Sequence, residues 1–480
     1  MEKISDFINR FILSAENMDD NGKLAEFIES HFDDNTDRLL FQKSKQADID
    51  MGLAVSTILG HRKLRDKVPS WYRNPHLIFP SSLSVEQCSS EFTAESRVRT
   101  ILELMPDDCK ADTSRLKIAD LTGGLGVDCY VFSRHFGKVL YNEMNPVLAD
   151  AVRHNFSVLG CSNISVSCSR IECSADGSDT EDLCGTASAT PEGLLRGCAP
   201  DIIYLDPARR AADGKKVFRI EDCQPDIIQL KDSLLRTARF VAVKLSPMAD
   251  IDIVARSLGP HCRRIDVVSY ANECKEVVAY LDREYDGECI ICAKCSGKGE
   301  FFFTRTEEND ADAILLPGAS LDRIMSESGA LLLEPDKALL KAGAFRLLCR
   351  RFPLAMLDRS THCYIAPVSI HTYTSEYGIS SIKDSDYAAD KYELQNFFRI
   401  FRIIRVLPLD RNGILTAGKD FPQADVTARN IPVSSDELRR RLKVQSSGRY
   451  HIFGLRVTVT PESESLPATS GNYLFITERI

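Results

Sequence analysis

The stretch Ile118-Ala119-Asp120-Leu121-Thr122-Gly123-Gly124-Leu125-Gly126-Val127-Asp128 passes from an apolar run through a glycine turn into a helical pattern. Glycine lets the backbone approach a ligand with no Cβ in the way, and a helix start offers N–H groups that have no partner within the helix. A strand, a tight turn and a helix in this order form the opening unit of a parallel sheet flanked by helices.

Outward from that turn, residues 86–300 alternate β-branched runs with helical stretches. The expected strands are Leu116–Asp120, Lys138–Asn142, Ile164–Cys168, Asp201–Leu205, Phe240–Lys244, Cys262–Val268, Glu276–Leu281 and Cys289–Cys295. Such a series predicts a doubly wound α/β sheet of the Rossmann-like kind. Residues 1–85 carry apolar side chains three and four apart, as in Phe7, Ile8, Phe11 and Ile12 and again in Met51, Leu53, Ala54, Ile58 and Leu59, which predicts a helical N-terminal domain. The proline-containing segment from Lys67 to Pro80 then reads as a boundary, and Cys173–Pro200 as an inserted surface loop. Beyond residue 300 the pattern is mixed α and β, with a further boundary expected within 370–395 and a hairpin joining Leu455–Val459 to Tyr473–Ile476 across Ser463–Gly471. Four segments follow: 1–85, 86–300, 301–395 and 396–480.

The composition is that of a folded soluble chain, 44% hydrophobic and 27% charged over 480 residues. A net charge of -9 excludes a basic coat over the whole surface but leaves room for a local basic patch. No apolar run approaches the roughly 20 residues that span a bilayer. Charges interrupt the first apolar stretch, so it lacks the core of a signal peptide. The 16 cysteines are scattered without a disulfide framework, and a cytoplasmic protein with reduced thiols is expected.

The glycine turn departs from the dinucleotide pattern G-x-G-x-x-G because an acid, Asp120, closes the strand. A carboxylate there repels a pyrophosphate but accepts a hydrogen bond from an ammonium, which S-adenosylmethionine (SAM) has and NAD lacks. Glu143 ends the next apolar strand in Tyr141-Asn142-Glu143-Met144, where an acid can accept both ribose hydroxyls of a nucleoside. A third apolar strand ends in Leu205-Asp206-Pro207-Ala208-Arg209, which places a carboxylate at the ligand-binding edge of the sheet.

These three pieces together resemble class I SAM-dependent methyltransferases. The resemblance implies SAM over Gly124 and Gly126, with Asp120, Thr122, Gly123, Asp128, Glu143 and Met144 around it. Asp206, Pro207, Arg209 and Lys244 would then face the acceptor. Ser84-Val85-Glu86-Gln87-Cys88-Ser89-Ser90-Glu91 resembles the cofactor-covering approach segment of RNA cap hypermethylases, which adds Gln87 to the cofactor set. Amino-base methyltransferases carry a second proline and an aromatic where this chain has Ala208 and Arg209. RNA uracil-5 methyltransferases carry a nucleophilic cysteine where it has Leu245, in Val243-Lys244-Leu245-Ser246-Pro247. Carbon-5 chemistry needs a thiolate, and Cys274 is the one candidate to stand in for it. Cys289, Cys292 and Cys295 have metal-like spacing, but alternation along a strand sends Cys292 to the opposite face from the other two, so no metal is expected.

The C-terminal third resembles a bacterial group in which a methyltransferase is followed by a ferredoxin-like and a THUMP-like domain. The resemblance rests on Leu331-Leu332-Leu333-Glu334-Pro335-Asp336, Leu340-Lys341-Ala342-Gly343-Ala344-Phe345, Arg429-Asn430-Ile431-Pro432 and Glu437-Leu438-Arg439-Arg440-Arg441-Leu442-Lys443. It implies RNA as partner, with Arg429, Arg439, Arg440, Arg441 and Lys443 as contacts. Residues 401–480 hold 12 basic and 8 acidic side chains, a balance of 12 − 8 = +4 that suits phosphates. The same arginine run also suits a solvated helix face with acids at its start and bases at its end. Methyl transfer to a protein or small molecule, and a silent RNA-binding protein that keeps the fold, are the alternatives.

Overall fold

The computed structural model describes residues 18–41, 49–173, 187–208, 220, 223–326, 329–352, 354–366, 394–446, 448–461 and 467–480. The chain divides into two compact units, Met1–Ile265 with Val277–Glu288, and Asp266–Glu276 with Cys289–Ile480. This division differs from the four expected segments. The first unit joins the N-terminal helices to the sheet, and the change of unit falls before residue 300.

The first unit is built on strands β1 (Lys117–Asp120), β2 (Lys138–Asn142), β3 (Ile164–Ser167), β6 (Ile202–Leu205) and β7 (Phe240–Leu245), with the short pair β4 (Ser169–Ile171) and β5 (Ala187–Ala189) beside them. β1 pairs in parallel with both β2 and β6, β2 with β3, and β6 with β7. Two further strands, β8 (Cys262–Tyr270) and β9 (Glu273–Asp282), follow. β9 lies antiparallel to β7, from Phe240↔Asp282 to Leu245↔Val277. Chain order therefore reverses on either side of β1, and ligands of open α/β sheets bind outside the carboxyl ends of the strands at such a switch point. All four residues of β6 are buried, as expected of a parallel strand covered on both faces.

The segment expected to be a boundary is instead core. Trp71, Leu77 and Phe79 are fully buried and share one apolar cluster with Ile118, Tyr141 and Tyr204. Ile78 donates its N–H to Asn155 Oδ1 at 2.9 Å, and Asn155 Nδ2 donates to the Ile78 carbonyl at 2.9 Å. The prolines bend the strap, and its apolar side chains and a buried asparagine bind it down. Within the expected loop Cys173–Pro200, β5 pairs with β4 and Thr190 caps the helix Pro191–Leu195, so its described later part is regular structure. Phe7–Ile12 and the boundary expected within 370–395 fall outside the described residues, apart from Leu394 and Gln395.

The second unit holds β10 (Ile290–Cys295) and β11 (Gly299–Thr304), an antiparallel pair, and a larger sheet. That sheet comprises β12 (Leu316–Pro317), β13 (Leu331–Pro335), β14 (Ala355–Met356), β15 (Tyr364–Ala366), β16 (Phe398–Pro408), β17 (Asp425–Arg429), β18 (Tyr450–Thr460) and β19 (Thr469–Arg479). Its order is β12-β18-β19-β16-β13-β15-β14, with β17 on β18. The expected hairpin is β18–β19, in the register Leu455↔Tyr473, with strands longer than expected. No helix among the described residues is long and apolar enough to cross a membrane.

The glycine turn rests on a close approach. A Cβ on Gly123 would lie 2.2 Å from the ring of Tyr141, and one on Gly126, where φ is +85°, would lie 2.8 Å from Phe156 and Val152. Gly123→Ala is therefore expected to lower the unfolding free energy by about 1–3 kcal/mol, the usual cost of overpacking. Urea unfolding measures this, and an unchanged midpoint would show that the Tyr141 ring can swing aside without cost.

Candidate active site

Three strand ends are tied together at the carboxyl edge of the first unit. Leu121 donates its N–H to the Tyr204 carbonyl at 3.0 Å, and Gly123 donates to the Asn142 carbonyl at 2.7 Å. Thr122 Oγ1 accepts the N–H of Asp206 at 2.6 Å, so the glycine turn holds the start of Asp206-Pro207 in place. Tyr141 donates its hydroxyl to the Gly124 carbonyl at 2.6 Å. Asn142 Nδ2 donates to the carbonyls of Leu121 and Ser169 at 3.0 and 2.9 Å. A Cβ placed on Gly124, where φ is +54°, would meet nothing nearer than the Thr122 carbonyl oxygen at 3.9 Å. The turn is thus packed hard against protein at Gly123 and Gly126 and open at Gly124.

Glu143 stands over the open side. Its Oε2 accepts the N–H of Gly124 at 3.0 Å and its Oε1 that of Asn145 at 2.9 Å. A carboxylate has about four lone-pair sites, so these bonds leave acceptor capacity. Burial raises its carboxyl above the usual range, against the pull of those N–H groups. Met144, the next residue, is 46% exposed, and Gln87 is exposed at the end of the helix Ser82–Gln87.

Two of the expected cofactor acids are placed otherwise. Asp120 is only 1% exposed and accepts the Thr122 N–H through Oδ1 at 3.0 Å. Burial, and then the charge of Asp128, raise its carboxyl well above the usual range, so it is no exposed anion for a ligand ammonium. Asp128 is also buried, paired with Arg97 and accepting from Ser89 Oγ at 2.7 Å. Burial opposes its charge, but Arg97 and Lys244 prevail and hold its carboxyl below the usual range. The Arg97 guanidinium lies 5.5 Å from the Tyr204 ring centroid. Asp128 is therefore part of the internal frame.

At the end of β6, Asp206 has a side chain 36% exposed, and its Oδ2 accepts from Lys244 Nζ at 2.5 Å. Pro207 follows, then Ala208, whose N–H and carbonyl both bond to the backbone of Gln224 at 2.7 and 3.0 Å. Arg209 lies outside the described residues. Sequence reasoning missed Ser89 and Arg97. An arginine mid-helix gives no local sign that it is 1% exposed.

Leu245 is buried at the position of the missing nucleophile. In the second unit, burial pushes the Cys274 thiol up to about 11, which leaves little thiolate near neutral pH. Cys292 and Cys295 are fully buried on β10, and Cys289 precedes that strand. Arg429, an expected RNA contact, is instead paired with the buried carboxylate of Glu334, which also pairs with Arg399. Of the others, Arg440, Arg441 and Lys443 are exposed. Arg441 pairs with Glu437, and Arg439 stands 3.8 Å from Asp436 on the helix Ser435–Leu442.

Known proteins share this architecture. Residues 332–376 match a ferredoxin-like domain family and residues 398–465 a THUMP domain-like family. An uncharacterized S-adenosylmethionine-dependent methyltransferase of Mycobacterium tuberculosis, found in strains CDC 1551 / Oshkosh and H37Rv, is 24% identical over 332 residues, 69% of this chain and 74% of the relative. A crystallised protein of Porphyromonas gingivalis W83, provisionally described as a methyltransferase, superposes with a TM-score of 0.70 and 25% identity over 95% of this chain and 97% of its own. In fold, the first unit is a class I methyltransferase. The chain is a SAM-dependent methyltransferase that continues into ferredoxin-like and THUMP-like domains.

The two buried acids give opposite stability trends. Between the unfolded value of 3.8 and the raised folded value, unfolded chains have released the Asp120 proton while folded chains keep it. Stability from this group therefore falls as pH rises through that window. Asp120→Asn, which cannot ionise, is expected to flatten that decline while keeping an acceptor for Thr122. Urea midpoints taken from pH 5 to 8 test it, and identical slopes for variant and wild type would refute the assignment.

Proposed function

We propose that the chain transfers the methyl group of SAM to a nitrogen or oxygen atom of RNA. The observation that carries the RNA reading is the THUMP-like match at 398–465, which contains the exposed Arg440, Arg441 and Lys443. A pyrimidine carbon-5 acceptor is disfavoured because Leu245 stands where a thiolate is needed and burial raises the Cys274 thiol.

The residues fit the cofactor. The open face of Gly124 gives a nucleoside room to lie against the backbone, and the unused lone pairs of Glu143 suit ribose hydroxyls. Met144 offers an exposed apolar side chain to the base. Gln87 is assigned to cover the cofactor. The amino-acid end of the cofactor would meet the backbone of the Thr122–Gly124 turn, since the Asp120 carboxyl faces inward.

When bound, the sulfonium supplies an activated methyl group and its own leaving group. The protein's task is then alignment of the acceptor. Asp206 is the partly exposed carboxylate at the strand end and is assigned to orient the acceptor or take its proton. Pro207 fixes its own φ and restricts the backbone of Asp206 before it, and Lys244 keeps the carboxylate in place. Arg209 is assigned to an RNA phosphate, as are Arg439, Arg440, Arg441 and Lys443.

The decisive experiment supplies tritiated-methyl SAM and total RNA from a strain lacking the gene. Wild type should label that RNA, and Asp206→Ala should abolish labelling while SAM affinity stays within about threefold, because orientation is lost and binding is not. Persistent labelling by Asp206→Ala would remove its assigned role, and unlabelled RNA with wild type would remove the RNA reading. Glu143→Gln is expected to weaken SAM binding about tenfold or more, in line with hydrogen bonds to a charged group of about 1.5–3 kcal/mol. Calorimetry measures it, and an unchanged affinity would show that the ribose lies elsewhere.

A further inference from the structure

Ser89 precedes the sheet in sequence and is 5% exposed. Its hydroxyl is within hydrogen-bond distance of Asp128 Oδ2 at 2.7 Å, Arg97 Nη2 at 2.9 Å and Lys244 Nζ at 3.1 Å. A serine hydroxyl has one hydrogen and two lone pairs, and arginine and lysine can only donate. The hydrogen therefore goes to Asp128, both lone pairs go to the two cations, and the hydroxyl has no capacity left.

This saturated hydroxyl joins two ion pairs of different burial. In the Arg97–Asp128 pair the side chains are 1% and 10% exposed, and in the Lys244–Asp206 pair 12% and 36%. The inner pair is held by the core, whereas the outer pair includes a long lysine side chain at the edge of the site. A site is placed accurately when the rotamers of its members are locked by a second layer of hydrogen bonds.

We propose that Ser89 is a positioning residue for methyl transfer: it anchors Lys244 to the buried Arg97–Asp128 pair, so that Lys244 holds Oδ2 of Asp206 and turns the other carboxylate oxygen toward the acceptor. This rests on Asp206 facing the acceptor, as proposed above. Ser89 itself touches neither acceptor nor methyl donor in this scheme. Its loss acts on the rate through Lys244.

Two readouts test it. In the RNA labelling assay, Ser89→Ala should lower the transfer rate per folded molecule by about tenfold or more, while SAM affinity stays within about threefold. Ser89→Thr, which keeps the hydroxyl, should recover most of that rate. Lys244→Met should show a similar loss, and the double variant Ser89→Ala with Lys244→Met should lose little more, because both changes break one linkage. Additive losses, or a loss that only tracks the unfolded fraction, would overturn the proposal. The second readout needs no acceptor: acetic anhydride labelling of Lys244, read by peptide mass spectrometry, should rise several-fold in Ser89→Ala and not in Ser89→Thr. Equal labelling in all three proteins would overturn the positioning role even if RNA were not the substrate, whereas failure of wild type to label RNA would count against the RNA reading alone.

Discussion

The ring of Tyr141 occupies the space that any side chain at position 123 would need, 2.2 Å from the missing Cβ. That contact presses the first turn onto the second strand, and the backbone then has few ways to run. Gly123 meets the Asn142 carbonyl, Thr122 meets the N–H of Asp206, and Leu121 meets Tyr204. One steric constraint thus sets the positions of three strand ends, and through them the Gly124 face, Glu143 and Asp206. Glu143 and Asp206, assigned to the cofactor and to the acceptor, share a frame because both are bonded to the same turn.

Charge is sorted around this frame by depth. Asp120 and Asp128 lie beneath the turn, and burial disfavours both as anions. Asp128 remains charged because Arg97 and Lys244 outweigh that cost, and its charge in turn pushes Asp120 toward the neutral acid. A pair of like charges so close would otherwise oppose folding. The inner acids support the turn, and the partly exposed carboxylate at the neighbouring strand end is that of Asp206.

The parts of this arrangement that were legible in sequence are local. A glycine turn between an apolar strand and a helix, an acid at the next strand end and Asp-Pro at the third each announce themselves within a few residues. The misread parts depend on partners far along the chain. Lys67–Pro80 looked like a boundary because its prolines break helix periodicity, yet Trp71 and Phe79 are core and Asn155 binds the strap. Arg429 looked like a phosphate contact, but Glu334, 95 residues away, claims its guanidinium. Asp120 was expected to accept a hydrogen bond from a ligand ammonium because it closes the strand before the glycine turn. Here Oδ1 turns back to the Thr122 N–H and the side chain is closed off.

The same reasoning explains why the segment before the sheet matters to the chemistry at its far edge. Lys244 extends from β7 toward Asp206, the residue just past β6, and parallel neighbours in a sheet present their ends side by side. That geometry brings the two charges together at neighbouring strand ends. A further point of attachment comes from outside the sheet: Lys244 also donates to Ser89, in the turn that leads into the helix Glu91–Leu104, the helix that also carries Arg97. The approach segment is therefore bonded to the outer ion pair through Lys244 and to the inner one through Asp128. The bonds of Ser89 thus tie the segment before the sheet to both ion pairs at once.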